Sequence, residues 1–370
     1  MNVALLSSAR AWRGSGTSLA NVARGLGACG HRVHILATAP AVTAGFAAQG
    51  LQARELPIRD TGLGEARVLA GALGELGSHV LVAEKPRDLR LGALVSLARR
   101  LTLVYRHNVG AAAPPRDPIV RLAYRRVDMT VFLTRTGEAQ AGDLAPFMLR
   151  PPRRVIYEAV DVARFRPDPA AAAAFRQRHG LGAGDRPFLL AVGALEREKR
   201  YDWLLGALAA LGRAAPPLVI CGSGGAAGQI RDRAAQLGID ARLLGFLSPE
   251  ELVGAYNAAT CLAHACAVET FGLAIAEAMA CGRAVVAAAA GGGSALPEVL
   301  GDTGVLTPAD DPEAFAAALA QLVADPDRRQ ALGIAARQRA VRLFSLERMG
   351  REYAEAIDAC ATSRPLRPPR

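Results

Sequence analysis

The chain has 370 residues, of which 51% are hydrophobic and 21% charged, and its formal net charge at pH 7 is +10. This length exceeds one ordinary hydrophobic core and favours two domains, and no apolar run is long enough for a membrane-spanning helix. The six cysteines lack CxxC spacing, and the first residues read as a strand rather than a signal peptide, so we expect reduced thiols in a cytoplasmic protein.

The charge is unevenly distributed along the chain. Residues 1–170 contain 23 Lys and Arg against 13 Asp and Glu, whereas residues 171–370 contain 21 of each. A one-sided basic domain favours an anionic acceptor or an anionic membrane surface. Nucleic acid is not expected, because aromatic residues that could stack on bases are scarce. An arginine-rich composition without a function is the alternative.

Strand-like and helix-like segments alternate in the first half. This alternation predicts a parallel sheet covered by helices on both faces. The predicted strands are Val3–Ser7, Val33–Ala37, Val80–Ala83, Leu101–Arg106, Asp128–Leu133 and Val155–Ile156, and the predicted helices are Ser18–Cys29 and Leu89–Arg100.

The alternation restarts after the Pro-rich segment Arg164–Pro169, so we place a domain boundary there, between residues 1–165 and 166–345. Strands are predicted at Phe188–Val192, Leu218–Cys221, Ala241–Leu244, Cys261–Ala263 and Ala284–Ala287. Helices are predicted at Ala170–Arg178, Tyr201–Leu211, Gly228–Leu237, Pro249–Asn257, Pro312–Ala324, Asp327–Arg342 and Leu346–Ala361. Two doubly wound halves of this kind bind ligands at the carboxyl ends of their strands.

Two motifs in chain order could seat phosphate groups. Gly14 and Gly16 follow the first strand, where glycine lets the backbone approach a phosphate or sugar, although Leu19 breaks a full GxGxxG. A plain strand-to-helix turn is the alternative. Lys199, one of only two lysines, follows the first strand of the second half and could neutralise a departing diphosphate. A surface lysine in a solvated turn is the alternative there.

The stretch from Glu269 to Gly282 is the most informative one. Its two carboxylates, Glu269 and Glu277, stand eight residues apart around a Phe-Gly-Leu turn and a short Ala-rich helix. Amides at a helix start attract a diphosphate, and carboxylates accept hydrogen bonds from neighbouring hydroxyls. The pattern is typical of a nucleotide-sugar site. A buried helix with two surface glutamates is equally compatible with the spacing.

This stretch resembles the E-x7-E signature of the retaining GT-B glycosyltransferases of the large GT4 family. Further segments that resemble the family follow in the expected order and cover nearly the whole chain. They are Gly14–Gly16 with Gly30–Val33, Val155–Pro167, Val192–Lys199, Ile220–Gly224, Leu244–Leu247 and Gly291–Val299.

The resemblance implies an α/β GT-B fold, with two Rossmann-like doubly wound domains facing each other across a cleft. The C-terminal domain, 166–345, would bind the nucleotide sugar. The N-terminal domain, 1–165, would lie on the acceptor side and be completed by the helix at about 346–361. We expect residues 362–370 to be a disordered tail.

The resemblance also implies site residues. Catalytic roles are expected for His107, Lys199 and Glu269. Donor-binding roles are expected for Gly14, Gly16, Arg197, Lys199, Gly222, Phe246, Leu247, Phe271, Gly272, Leu273 and Glu277. No cofactor or metal is expected, and the donor would be of the UDP or GDP type. The chain departs from the family pattern at Arg13, Glu158 and Ala194.

We therefore expect a retaining, metal-independent glycosyltransferase that moves a sugar from a nucleoside-diphosphate sugar to a hydroxyl acceptor, such as a lipid-linked or polysaccharide precursor of the envelope. It would be cytoplasmic and could bind the inner face of the membrane. A GT-B sugar-nucleotide epimerase or phosphorylase, and a non-catalytic sugar-nucleotide-binding homologue, are the alternatives.

Overall fold

The computed structural model describes residues 1–108, 118–182 and 186–362. The chain divides into two compact units: Met1–Ala159 together with the C-terminal segment from Leu346, and Val160–Ser345. The first division precedes the expected boundary after residue 165. The reason is that Val160 forms a parallel bridge with Ser345 and donates its N–H to Phe344 O at 2.8 Å, both within the second unit.

The first unit is built on a seven-stranded parallel sheet with the order β3-β2-β1-β4-β5-β6-β7. The strands are β1 (Asn2–Ser7), β2 (Arg32–Ala37), β3 (Ala53–Glu55), β4 (Val80–Ala83), β5 (Thr102–His107), β6 (Met129–Phe132) and β7 (Arg153–Val155). The helices are α1 (Gly14–Ala28), α2 (Pro40–Ala48), α3 (Leu63–Glu75), α4 (Pro86–Ala98), α5 (Pro118–Tyr124), α6 (Arg135–Leu144) and, at the end of the chain, α15 (Leu346–Thr362).

Helices cover both faces of this sheet because successive strand residues point to opposite sides. On β1, Val3 and Leu5 join the apolar cluster under α1 and α15, while Ala4 and Leu6 join the cluster under α3 and α4. Helix α15 packs on α1 at a glycine contact: a Cβ on Gly350 would lie 2.5 Å from Gly25 O. Thr362, expected in the tail, belongs to α15, and residues 363–370 lie outside the described residues.

The second unit is built on a six-stranded parallel sheet with the order β10-β9-β8-β11-β12-β13. The strands are β8 (Leu189–Val192), β9 (Leu218–Cys221), β10 (Ala241–Gly245), β11 (Cys261–His264), β12 (Val285–Ala289) and β13 (Val305–Pro308). The helices are α7 (Pro169–Arg178), α8 (Tyr201–Ala209), α9 (Ala227–Leu237), α10 (Pro249–Ala258), α11 (Leu273–Ala280), α12 (Leu296–Leu300), α13 (Pro312–Ala324) and α14 (Pro326–Leu343).

The two sheets confirm the doubly wound α/β expectation for each half. In both units the central strands are buried and apolar, as parallel strands covered on two faces should be. None of the described helices combines the length and the apolar character needed to cross a bilayer.

Candidate active site

The site in the second unit is organised by the carboxyl ends of two neighbouring strands. β8 and β11 pair in parallel, so the loops that follow them leave the same edge of the sheet. Lys199 follows β8 in a short 3-10 turn, and Glu269 follows β11. Lys199 Nζ forms an ion pair with Glu269 Oε1, and the two side chains are 25% and 12% exposed. Two residues predicted from separate motifs thus meet in one partly buried pair.

His264, the last residue of β11, completes this group. Its Nε2 atom lies 3.2 Å from Glu269 Oε1, and its side chain is 6% exposed. Burial alone would raise the pKa of Glu269, but its interactions with His264 and Lys199 lower that pKa to about 2. Burial likewise opposes the charge of Lys199, yet Glu269 and Cys266 hold the pKa of the ammonium above its ordinary value. The pair is therefore ionised at neutral pH.

The loops after β8 and β9 touch through glycines. A Cβ on Gly222, which has a φ of +149°, would lie 1.9 Å from Gly193 O. A Cβ on Gly224 would lie 2.4 Å from Leu195 O. Only glycine permits this approach, so packing between the two loops already explains Gly222.

The start of α11 lies directly after Glu269 in the chain. Gly272 is the N-cap with a left-handed φ of +90°, and no side chain caps the helix. Phe271 is 1% exposed and packs edge-on against Phe344, with ring centroids 5.1 Å apart. Only its backbone is available to a ligand. The first amides of an α-helix, here including that of Leu273, have no acceptor within the helix, so this start could bind an anion.

Glu277 lies one turn further along α11. Tyr256, a fully buried residue of α10, donates its hydroxyl to Glu277 Oε2 at 2.7 Å. Burial raises the pKa of Glu277 to about 7, and the Tyr256 bond only partly offsets this. With a pKa near neutral pH, the Glu277 carboxyl can ionise when the hydroxyl groups of a ligand donate hydrogen bonds to it. Tyr256 was not anticipated from the sequence, because nothing in its helix pattern marks it as more than a core residue.

Three other predicted donor residues lie at loop positions of the second unit. Arg197 begins the 3-10 turn that carries Lys199 and is exposed. Phe246 and Leu247 follow β10, the first 66% exposed and the second 7%. Phe246 is thus a large apolar side chain left open at the carboxyl edge of the sheet.

The predicted residues of the first unit need one correction. Gly14 and Gly16 were expected in a loop before α1, but they form its first turn. Gly16 lets the Trp12 ring pack closely on α1, since a Cβ there would lie 2.8 Å from that ring. His107 ends β5, and burial lowers its pKa to about 4, so the ring is neutral at physiological pH.

The structure also accounts for Glu158, where the chain departs from the family pattern. Arg106, fully buried on β5, forms ion pairs with both Glu84 and Glu158, and donates to Tyr353 on α15 at 2.9 Å. Ser18 on α1 donates to Glu158 at 2.6 Å. The glutamate is a partner of a buried arginine, a role that sequence spacing alone could not indicate because its partners are 52 or more residues away.

Comparisons with known proteins identify relatives of this chain. The sequence profile of the family described as glycosyl transferases group 1 matches residues 174–339. The chain is 33% identical over 282 residues to the GDP-mannose-dependent alpha-(1-6)-phosphatidylinositol monomannoside mannosyltransferase of Mycolicibacterium smegmatis, covering 70% of each protein. It is 32% identical over 343 residues to D-inositol 3-phosphate glycosyltransferase 1 of Catenulispora acidiphila, covering 84% of this chain and 79% of that protein. Matches to other such enzymes are shorter, for example 47% of the one from Saccharomonospora viridis.

Solved structures resemble nearly the whole chain. Anabaena HepE in complex with UDP and glucose superposes with a TM-score of 0.83 at 20% identity, covering 97% of this chain and all of HepE. At this identity the likeness establishes the shared fold.

Proposed function

Because this chain belongs to the glycosyl transferases group 1 family, we propose that it is a retaining GT-B enzyme and that Lys199, Glu269 and the start of α11 hold the donor. The chain is a glycosyltransferase that moves a sugar from a nucleotide-sugar donor to an acceptor. The observation that carries the finer proposal is the partly buried, ionised Lys199–Glu269 pair at the carboxyl edge of the second sheet.

In the proposed reaction the acceptor hydroxyl attacks the anomeric carbon on the face from which the diphosphate departs. The bond from the anomeric carbon to the diphosphate oxygen breaks, the bond to the acceptor oxygen forms, and the acceptor proton moves to the leaving diphosphate. Negative charge on the leaving group grows as its bond breaks, so a fixed cation and helix-terminal amides lower the barrier. Lys199 would supply that cation, with Arg197 nearby in the chain.

The carboxylates would bind the two sugars of the donor. Glu269 stays charged because of its low pKa and would accept from hydroxyls of the transferred sugar. Glu277 would accept from the ribose diol, and the Tyr256 hydroxyl would hold its carboxylate in place. His107 would orient the sugar or a phosphate as a neutral ring.

We further propose that the reaction needs no metal, since Lys199 and the helix start can take the charge of the diphosphate. A thermal-shift panel of UDP, GDP, ADP, CMP and their sugars, with and without chelator, tests this. The name of the relative from Mycolicibacterium smegmatis favours GDP-mannose, and the HepE complex favours UDP. A shift from one nucleoside diphosphate that survives chelation is expected. A shift that requires added divalent metal would contradict the proposal.

For the acceptor we propose a lipid-linked or envelope glycan precursor at an anionic membrane surface. Helix α5 supports this with an amphipathic face: Ile119 and Leu122 are 59% and 61% exposed, and Arg121, Arg125 and Arg126 are exposed beside them. Apolar side chains flanked by arginines suit the boundary between acyl chains and anionic head groups. The relative from Mycolicibacterium smegmatis is named for phosphatidylinositol monomannoside, a glycolipid.

Vesicle flotation tests the membrane proposal. Wild-type protein should float with vesicles that contain phosphatidylglycerol, less at high salt, and not with pure phosphatidylcholine. Ile119→Asp with Leu122→Asp should abolish flotation. Ile334→Asp is the matched control, because Ile334 is 54% exposed on α14 of the second unit. Equal flotation of all variants would refute a role for α5.

A further inference from the structure

Three potential metal ligands converge beside the proposed donor site. One nitrogen of His264, the Cys266 sulfur and one carboxylate oxygen of Glu269 all lie within 4.8 Å of one another. All three follow or end β11, within six residues of chain. His264 and Cys266 are buried, and Glu269 is partly buried.

The donor set suits a borderline-soft divalent ion. Nitrogen, thiolate and carboxylate are the ligands that Zn²⁺ takes in proteins, at bond lengths of about 2.0–2.3 Å. The ligand atoms of a tetrahedral zinc ion lie about 3.3–3.6 Å apart. The 3.2 Å between His264 Nε2 and Glu269 Oε1 already suits one ion, and the Cys266 sulfur, within 4.8 Å of both residues, must move closer by at most about 1.3 Å. Solvent or substrate could fill the fourth position, as in zinc sites with three protein ligands.

Two polar atoms in the group are available for a ligand. His264 Nε2 is buried and makes no hydrogen bond with any residue that the structure describes, although it lies 3.2 Å from Glu269 Oε1. The Cys266 thiol donates to Val268 O, at 3.3 Å, two residues along its own loop, and also interacts with the Glu269 carboxylate. A metal ion would use both atoms at once.

In the structure the Lys199 ammonium lies where a metal ion bound to this group would lie. Its Nζ atom contacts Glu269 and lies 3.8 Å from Cys266 Sγ. The lysine side chain is 25% exposed, so it can turn towards solvent without opening the core. Lysine and metal would then be alternative occupants of the same negative site.

We propose that His264, Cys266 and Glu269 bind one Zn²⁺ ion, which displaces Lys199 from Glu269 and thereby inhibits sugar transfer. The inhibition rests on the proposed function of Lys199, whereas the binding does not. On binding, Cys266 forms a sulfur–zinc bond and its thiol proton passes to solvent; no oxidation occurs. Inhibition is competitive with the donor, because both need the same carboxylate and the same region around Lys199.

The binding test uses the full chain with Zn²⁺ in competition with a chromogenic chelator, and Co²⁺ as a spectroscopic substitute. We expect one ion per chain and a thiolate-to-cobalt charge-transfer band. Cys266→Ser should weaken binding at least tenfold and remove the band. Cys29→Ser is the matched control and should change neither, because Cys29 is an exposed cysteine of the other unit.

A second variant separates this site from chance binding at the surface. Lys199→Met removes the competing ammonium and should tighten Zn²⁺ binding by about tenfold or more, since a unit charge about 4 Å away strongly disfavours a cation. If the Zn²⁺ affinity is the same in Cys266→Ser, Lys199→Met and the wild type, or if the wild type binds no Zn²⁺, the proposed site is wrong.

An activity assay tests whether bound Zn²⁺ inhibits sugar transfer, separately from whether the ion binds. Each variant is compared with its own rate of transfer in chelator: added Zn²⁺ should inhibit the wild type strongly, and Cys266→Ser should need at least tenfold more Zn²⁺ for the same fractional inhibition. Zinc bound at Cys266 without loss of transfer would overturn the displacement of Lys199. If no donor is turned over by any preparation, the proposed function fails while the chelator competition still decides the metal site.

Discussion

Lys199→Met should abolish most sugar transfer and weaken the second unit by a predictable amount. Methionine keeps the length of the side chain and removes its charge. Loss of one preorganised group on a developing anion typically lowers kcat by about 10²–10³. The stability effect follows from Glu269, whose pKa falls from 4.5 to about 2 in the folded protein. A shift of this size corresponds to about 3 kcal/mol, which Lys199 shares with His264.

The sign of the pH dependence is fixed by the lowered pKa. A carboxylate with a depressed folded-state pKa stabilises the fold above its unfolded value near 4.5, and this contribution is lost as the pH falls through about 2. At pH 7 the full contribution is present, so Lys199→Met should reduce the free energy of unfolding by about 1–3 kcal/mol.

Each unit holds one tryptophan, so urea unfolding can be followed separately in each: Trp12 reports the first unit and Trp203 the second. In a Trp12→Phe background the Trp203 transition should shift with Lys199→Met but not with Lys85→Met, which alters the other lysine of the chain. A folded Lys199→Met enzyme with kcat within threefold of wild type would refute the leaving-group role.

Three further predictions concern other parts of the site and fold. Glu277→Gln should weaken nucleoside-diphosphate affinity at least tenfold in calorimetric titration, because a neutral amide is a poorer acceptor for the ribose diol; unchanged affinity would exclude that contact. Gly222→Ala should lower the free energy of unfolding of the second unit by about 2 kcal/mol or more, whereas Gly225→Ala, with open space at its Cβ, should change little. The buried Glu84 has its pKa raised from 4.5 to about 7, mainly by burial, so the stability of the first unit should fall as the pH rises from about 4.5 to about 7, where the unfolded chain has lost this proton and the folded chain still holds it. Between pH 5 and pH 8 the free energy of unfolding of the first unit, measured with urea, should fall by about 3 kcal/mol less in Glu84→Gln than in the wild type. If the two proteins lose the same amount, Glu84 is not the group that titrates.

Much of the fold could be predicted because apolar strands alternate with helices at regular spacing. Val80–Ala83, Leu218–Cys221 and Pro312–Ala324 have the predicted bounds. Short or weakly patterned elements were missed, among them β3, α5 and α12. β3 has three residues with two of them exposed, so it has no apolar run to mark it. α3 was also missed, since its glycines obscure the helical period.

The candidate site was predictable residue by residue but not as a set of partners. The sequence could mark Lys199 and Glu269, because each follows a strand in a recognisable motif. It could not show that they pair, since that contact arises from the pairing of β8 with β11. Nor could it show that His264 lies beside them, since that contact depends on how the chain turns between residues 264 and 269. The burial of Arg106 was not predicted either, because an arginine is stable inside the core only when partners neutralise it. Its two glutamate partners are distant in the sequence and meet it only in the folded chain. A histidine at the last position of a buried strand was the one available signal for His264.

The most direct test of the account is the stereochemistry of transfer, followed by proton NMR with the donor identified in the nucleotide panel, a lipid-linked acceptor and excess chelator. An α-linked donor should give an α-linked product from the first turnovers, and Lys199→Met should give almost none. A β-linked product, or transfer that stops when the chelator is added, would contradict the retaining, metal-independent mechanism built on the Lys199–Glu269 pair.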